Sequence, residues 1–232
     1  MPATRTLSLR HVQLARAVFA AIAALMITFS ADHSASVGLA AFSGFALVSG
    51  VIYVLAAWLS SPAGWRWPYV LMAVVAGLTG MAAGIPAWRT TPLFFVVVIV
   101  WGALTGVIEL IAGIRARRQV RSGALSVDHP AAEGARDAML LGSLGLLLAG
   151  ALLCVPTSYA LNYTIAHAGS FTLTGITLAV GIFGAYAAIV AVFLGIAGLS
   201  PRRAPSGASN LQGSPIDTAG AVSASAENEG SA

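Results

Sequence analysis

Residues 92–121 read PLFFVVVIVWGALTGVIELIAGIRARRQVR. The first 23 of them, 92–114, hold one ionisable side chain, Glu109, and the next seven hold four arginines, Arg115, Arg117, Arg118 and Arg121. A helix of that apolar length reaches about 34 Å at 1.5 Å per residue, and the hydrocarbon core of a bilayer is about 30 Å thick. An apolar run long enough to cross, closed by arginines, is a transmembrane helix that stops at the headgroups.

Working outward, five more runs share this character. They cover residues 14–30, 37–59, 69–85, 138–155 and 171–199. The first follows Arg5, Arg10 and His11, with Arg16 one turn inside it and able to snorkel to the headgroups. Asp32, His33, Ser34 and Ser36 break the chain before the second. A short loop with Arg66 between Trp65 and Trp67 reads as an interfacial aromatic anchor before the third, which Pro86 stops. The polar stretch 115–137 separates the fourth and fifth spans, and Pro156 ends the fifth. A loop over 156–170, with Tyr159, Tyr163 and His167, leads to the sixth. Residues 1–13 are then a short N-terminal segment. The Ser-, Gly-, Ala- and Pro-rich residues 200–232 form a tail too polar to bury a core, and disorder is expected there.

Composition agrees. Only 9% of the 232 residues are charged, 58% are hydrophobic and mean hydropathy is +0.86. A soluble domain carries about a quarter charged residues, so most of this chain faces lipid. The pI near 9.8 does not point to nucleic acid, because the arginines sit beside apolar runs, where they set orientation. Of the twelve arginines, eleven fall on the side of the two termini and only Arg89 on the other. That asymmetry predicts both termini in the cytoplasm of a bacterial inner membrane. The absence of lysine beside abundant Ala, Gly and Arg points to a GC-rich bacterial genome. A cleaved signal peptide would also begin with basic residues. The next apolar run follows too closely for that, and the first helix is expected to be retained.

The spans pair as three tandem hairpins. Gly50-Val51-Ile52 matches Gly106-Val107-Ile108, Trp101-Gly102 matches Phe183-Gly184, and Gly113-Ile114 matches Gly195-Ile196. Phe45, Trp101 and Phe183 then take one equivalent position. Each unit has two crossings, so the units run parallel, related about an axis along the membrane normal. The expected fold is therefore an all-α integral membrane protein of six helices in three parallel hairpin repeats. The GxxxG pairs Gly80/Gly84 and Gly102/Gly106 are expected to face the bundle or a neighbouring copy, through which close backbone approach supplies contact.

Few residues carry chemistry. An ionisable group within a span is a functional suspect, and Glu109 lies at the depth of the inner leaflet, where Arg16 on the first helix could pair with it and offset the desolvation of both. The plainer alternative is that Glu109 reaches water or Arg115 and Arg117. On the opposite side, His33 and His167 could titrate as an external acid sensor, although solvated loop histidines are the commoner case. They do not form a metal-ligand spacing with Asp32. Cys154 cannot close an intrachain disulfide as the lone cysteine. No nucleophile triad, HExxH, Walker or dinucleotide motif occurs. Neither cofactor nor metal is expected, and membrane lipids and further copies of the chain are the expected partners.

The paired hairpins, the helix ends at Pro86 and Pro156, and the run Trp101-Gly102-Ala103-Leu104-Thr105-Gly106-Val107-Ile108-Glu109-Leu110, followed by Ile111-Ala112-Gly113-Ile114-Arg115, resemble the HdeD-like membrane protein family. The resemblance covers roughly residues 16–203. It implies short transmembrane repeats without catalytic residues and, from the family's named member, a link to acid resistance. A non-enzymatic inner-membrane protein supporting envelope or acid-stress tolerance is thus the first expectation. A small transporter or channel using Glu109 is the second, and a lipid-modifying enzyme the last.

Overall fold

The computed structural model describes residues 9–59, 61, 63–127, 129–165 and 169–200. The first eight residues, His167 and the tail from 201 lie outside the described residues. Among the described residues six helices are long and apolar enough to cross a membrane, the pattern of a multi-pass membrane protein: α1 (Leu9–Phe29), α2 (Ala35–Leu59), α3 (Trp67–Gly84), α4 (Thr91–Arg121), α6 (Ala135–Leu153) and α7 (Gly175–Leu199). A four-residue helix α5 (Pro130–Glu133) and two one-turn 3-10 helices, Ala63–Trp65 and Pro86–Trp88, occupy the connections.

Local chemistry sets the ends. Asp32 accepts from the Ser34 amide and hydroxyl at 2.9 and 2.7 Å, which shapes the turn into α2. Thr90 caps α4 by accepting from the Leu93 amide at 3.4 Å, with Pro92 at the first turn, where its missing N–H costs nothing. At its far end α4 does not stop with the apolar run. It continues as helix through Arg121, because arginine is a good helix former and the boundary at Ile114 is one of hydropathy, not of backbone propensity.

The sixth span begins at Gly175, four residues later than the expected start at 171. Residues 171–174 belong to a two-stranded antiparallel hairpin, β1 (Ala160–Ile165) with β2 (Gly169–Thr174), pairing Leu161 with Leu173 and Asn162 with Thr172. This corrects the expected start of the sixth span and the reading of 156–170 as a plain loop. In 160–174 polar and apolar residues alternate with period two, and threonines abound, both of which favour strand over helix. Thr172 Oγ1 donates to Asn162 Oδ1 at 2.6 Å across the ladder. Thr174 ends the strand and caps α7, accepting from the Thr177 amide.

The three most extensive helix contacts are α4 with α6, α1 with α7 and α2 with α3. Consecutive helices within the expected hairpins touch less, and α6 with α7 least of the three. Each of the extensive faces brings an even span against the next odd one, with α7 and α1 closing the ring. Small residues make them close. A Cβ added to Gly106 would lie 2.8 Å from the Gly142 carbonyl oxygen, and one on Gly102 would lie 3.1 Å from that of Gly145. Gly80 receives Leu47, Gly84 faces Ser43, Gly184 receives Ile27 and Gly198 receives Leu14. Ser43 Oγ donates to the Gly80 carbonyl at 2.8 Å, a bond between α2 and α3 in the interior.

Aromatic side chains of the even spans fill the centre. Phe45 meets Trp101 and Phe183 edge to face at centroid distances of 5.4 and 5.8 Å, and Phe42 meets the same two rings at 5.6 and 5.5 Å. Phe94 adds to this packing from α4, 6.5 Å from Phe183. Edge-to-face pairs at this spacing are the favoured geometry of aromatic quadrupoles.

Candidate functional site

Beyond the aromatic centre, toward the arginine-bearing ends of α1 and α4, the interior turns polar. Arg16 projects from α1 and Glu109 from α4, ninety-three residues apart in sequence, and Arg16 Nη2 donates to Glu109 Oε1 at 2.8 Å. The two side chains are 15% and 8% exposed, so each charge has the other as its close neutralising partner. The Arg16 guanidinium carbon also lies 5.0 Å from the centroid of the Tyr53 ring on α2, where a cation is attracted by the ring face. The expected juxtaposition of Arg16 with Glu109 is the geometry found, and the alternative partners Arg115 and Arg117 are exposed on the outside of α4.

The pair borders a small cavity, also lined by Ser49, Tyr53, Trp101, Thr105 and Tyr186. It leaves about 10 Å³ for the centre of a water-sized sphere, room for about one water molecule and for no organic substrate. Thr105 spends its hydroxyl on the Trp101 carbonyl at 2.6 Å, the backbone use expected of a hydroxyl within a span. The indole N–H of Trp101 is buried without an acceptor among the described residues.

Tyr53 and Tyr186 are members of the site that sequence reasoning did not single out. Tyr53 holds the position of the second span equivalent to Glu109 on the fourth, so repeat alignment carried a signal for it. Tyr186, one turn beyond Phe183, carried none. A second missed contact joins α1 to α6, Gln13 Nε2 donating to Asp137 Oδ2 at 2.7 Å.

Gly80, Gly84, Gly102 and Gly106 lie on helix-helix faces inside the bundle, between α2 and α3 and between α4 and α6. His33 is half-buried beside the α2 start, and Asp32 is engaged by Ser34 and not by the histidine. Its suggested companion His167 lies outside the described residues. Among the described residues no group of three His, Cys, Asp or Glu is placed to hold a metal, and Cys154 is exposed at the end of α6.

Trp101→Phe tests the cavity. It removes a buried donor that lacks a partner, a group worth about 1–3 kcal/mol when unsatisfied, at the expense of some packing volume. Stability in detergent is expected to stay within about 1 kcal/mol of wild type, whereas Trp101→Ala is expected to lose about 3–5 kcal/mol. A large loss in the phenylalanine variant would mean that the indole N–H is bonded.

No protein-family model, curated protein or solved structure matches the chain.

Proposed function

We propose that this chain is a non-enzymatic, integral protein of the bacterial inner membrane that supports envelope or acid-stress tolerance through its packed bundle and its contacts with lipid or further copies. In this reading three parallel hairpin repeats surround an axis along the membrane normal, both termini lie in the cytoplasm, and the fold is of the HdeD-like kind. The observation that carries the non-enzymatic part is the filled interior. Aromatic rings of α2, α4 and α7 close the centre, and the cavity beyond them has room for about one water molecule beside a carboxylate already neutralised by Arg16. Catalysis at a membrane interface needs a substrate space with acid–base or metal groups converging on it.

Support for the repeat comes from the equivalent aromatics Phe45, Trp101 and Phe183 meeting one another, and from the recurrence of an even span packed on the next odd one. Support for the orientation comes from the arginine count, eleven to one. The rival reading, a small transporter or channel, draws on the same cavity, since Arg16 and Glu109 are the interior charges a substrate ion would displace.

One paired experiment separates them. A deletion strain is expected to lose survival in acid or under envelope stress, and the Glu109→Gln protein is expected to restore it whenever it accumulates normally. Unchanged survival across those stresses would remove the stress role. Substrate flux into proteoliposomes that vanished in Glu109→Gln would put the transporter first.

A further inference from the structure

Five positions on α4 face away from the bundle at helical spacing, Val96, Val100, Leu104, Val107 and Ile111, and the four nearest the arginines, Val100 to Ile111, are 41%, 46%, 42% and 50% exposed. The same spacing continues into Arg115 and Arg118, both exposed, while Ala116 on the other face of that turn is 1% exposed. Because α4 runs unbroken to Arg121, these arginines are held on one rigid spiral with the apolar stripe. The Arg115 guanidinium carbon lies 5.7 Å from the ring centroid of Trp65, on the connection between α2 and α3, which orients one face of the fork.

An apolar strip about one bilayer leaflet long, ending in two arginines at headgroup level, has the shape and charge of one amphiphile. We propose that α4 carries a binding site for an anionic glycerophospholipid, with an acyl chain along Val100 to Ile111 and the phosphodiester held between Arg115 and Arg118. This rests on the membrane reading of the six helices. Charge complementarity favours an anionic lipid over a zwitterionic one, whose choline would lie beside the same guanidinium groups. Arginine suits the phosphodiester because its planar fork presents two parallel N–H donors to two oxygens. Exposed Arg117 and Arg121 on the same turns add to the field that draws the anion.

The test uses the full chain in detergent, with native mass spectrometry and lipids of identical acyl chains. Wild type is expected to retain phosphatidylglycerol about tenfold more than phosphatidylcholine. Arg115→Gln with Arg118→Gln is expected to abolish that preference. Arg115→Lys with Arg118→Lys should retain part of it, since charge remains and the fork is lost. Arg136→Gln, an exposed arginine on α6, should leave it intact. These are surface residues, so the folded state can be checked by an unchanged melting temperature. Equal retention of the two lipids by wild type would overturn the site, as would a preference surviving in the double glutamine variant or falling equally in Arg136→Gln. Displacement of the lipid by glycerol phosphate at equal concentration would reassign the site to a free phosphate and overturn the lipid proposal. Purification as a soluble monomer without detergent would sink the membrane reading itself.

Discussion

Arg16→Leu is expected to lower the melting temperature in detergent or nanodiscs on the order of 10 °C, an effect as large as truncating the buried Trp101 to alanine. The substitution leaves Glu109 buried without its ion-pair partner, and removing one member of a buried ion pair costs about 3–5 kcal/mol. For a protein of this size, each kcal/mol moves the midpoint by roughly 2–4 °C. Glu109→Leu is expected to cost less. The freed guanidinium stays over the Tyr53 ring, and its long stem, only two turns from the start of α1, can carry the charge toward the headgroups. Glu109 has neither outlet. Its side chain is short, and α4 continues for three more turns beyond it. The double variant Arg16→Leu/Glu109→Leu removes both desolvation penalties at once and should recover most of the loss. The coupling measured in that cycle should therefore be large and favourable to the pair. Equal melting temperatures for wild type and Arg16→Leu would mean that Glu109 reaches water, and the site would lose its charge-pair basis.

The origin of that pair explains why part of the molecule can be read from sequence. Depth in a bilayer is nearly one-dimensional: counting residues from the apolar ends of two helices puts Arg16 and Glu109 at one level before any packing is known. The six spans are legible for the same reason, since the apolar runs report the solvent around them. Which helix lies beside which is another matter. Sequence adjacency favours hairpin partners, yet the closest faces join α2 to α3, α4 to α6, and the two chain-end helices α1 and α7. Partner choice depends on the shape of two surfaces together. Gly102 and Gly106 stand out as a GxxxG pair on α4, but the complementary Gly142 and Gly145 on α6 are spaced by three, outside that motif. The start of α7 was hidden for a local reason. Phe171 to Thr174 are apolar enough to extend a span, and only the period-two alternation shared with 160–165 marks them as strand. Helix beyond Ile114 was hidden in the opposite sense, because arginine reads as an end in hydropathy while favouring helix in the backbone.

Gly142→Ala is expected to cost about 3 kcal/mol, at the upper end of overpacking. An added methyl would lie 2.6 Å from the Gly106 carbonyl oxygen, 2.7 Å from the Leu110 amide nitrogen and 3.1 Å from the Leu110 Cα. All three atoms are backbone, so no rotamer change relieves the clash, and α4 and α6 must separate along their most closely packed face. Gly106→Ala strikes the same contact from the other side, 2.8 Å from the Gly142 carbonyl oxygen and 3.0 Å from the Leu146 amide nitrogen. The two substitutions should not add. Once the helices have moved apart for one methyl, the second enters a gap already opened, so the double variant should cost clearly less than the two losses together. Gly150→Ala and Gly181→Ala are the controls. Nothing lies within 4 Å of either added Cβ, and alanine favours helix over glycine by about 0.5–1 kcal/mol, so both variants should melt at or slightly above the wild-type temperature. The effect should also reach the polar site. Glu109 lies one turn after Gly106 on α4, and displacing that helix from α6 shifts the carboxylate relative to Arg16 on α1. Gly142→Ala should therefore shrink the coupling measured between Arg16 and Glu109, which the two control glycines should leave unchanged. A Gly142→Ala protein melting with wild type would show that the backbones of α4 and α6 do not approach each other there, and the small-residue account of the bundle would fail with it.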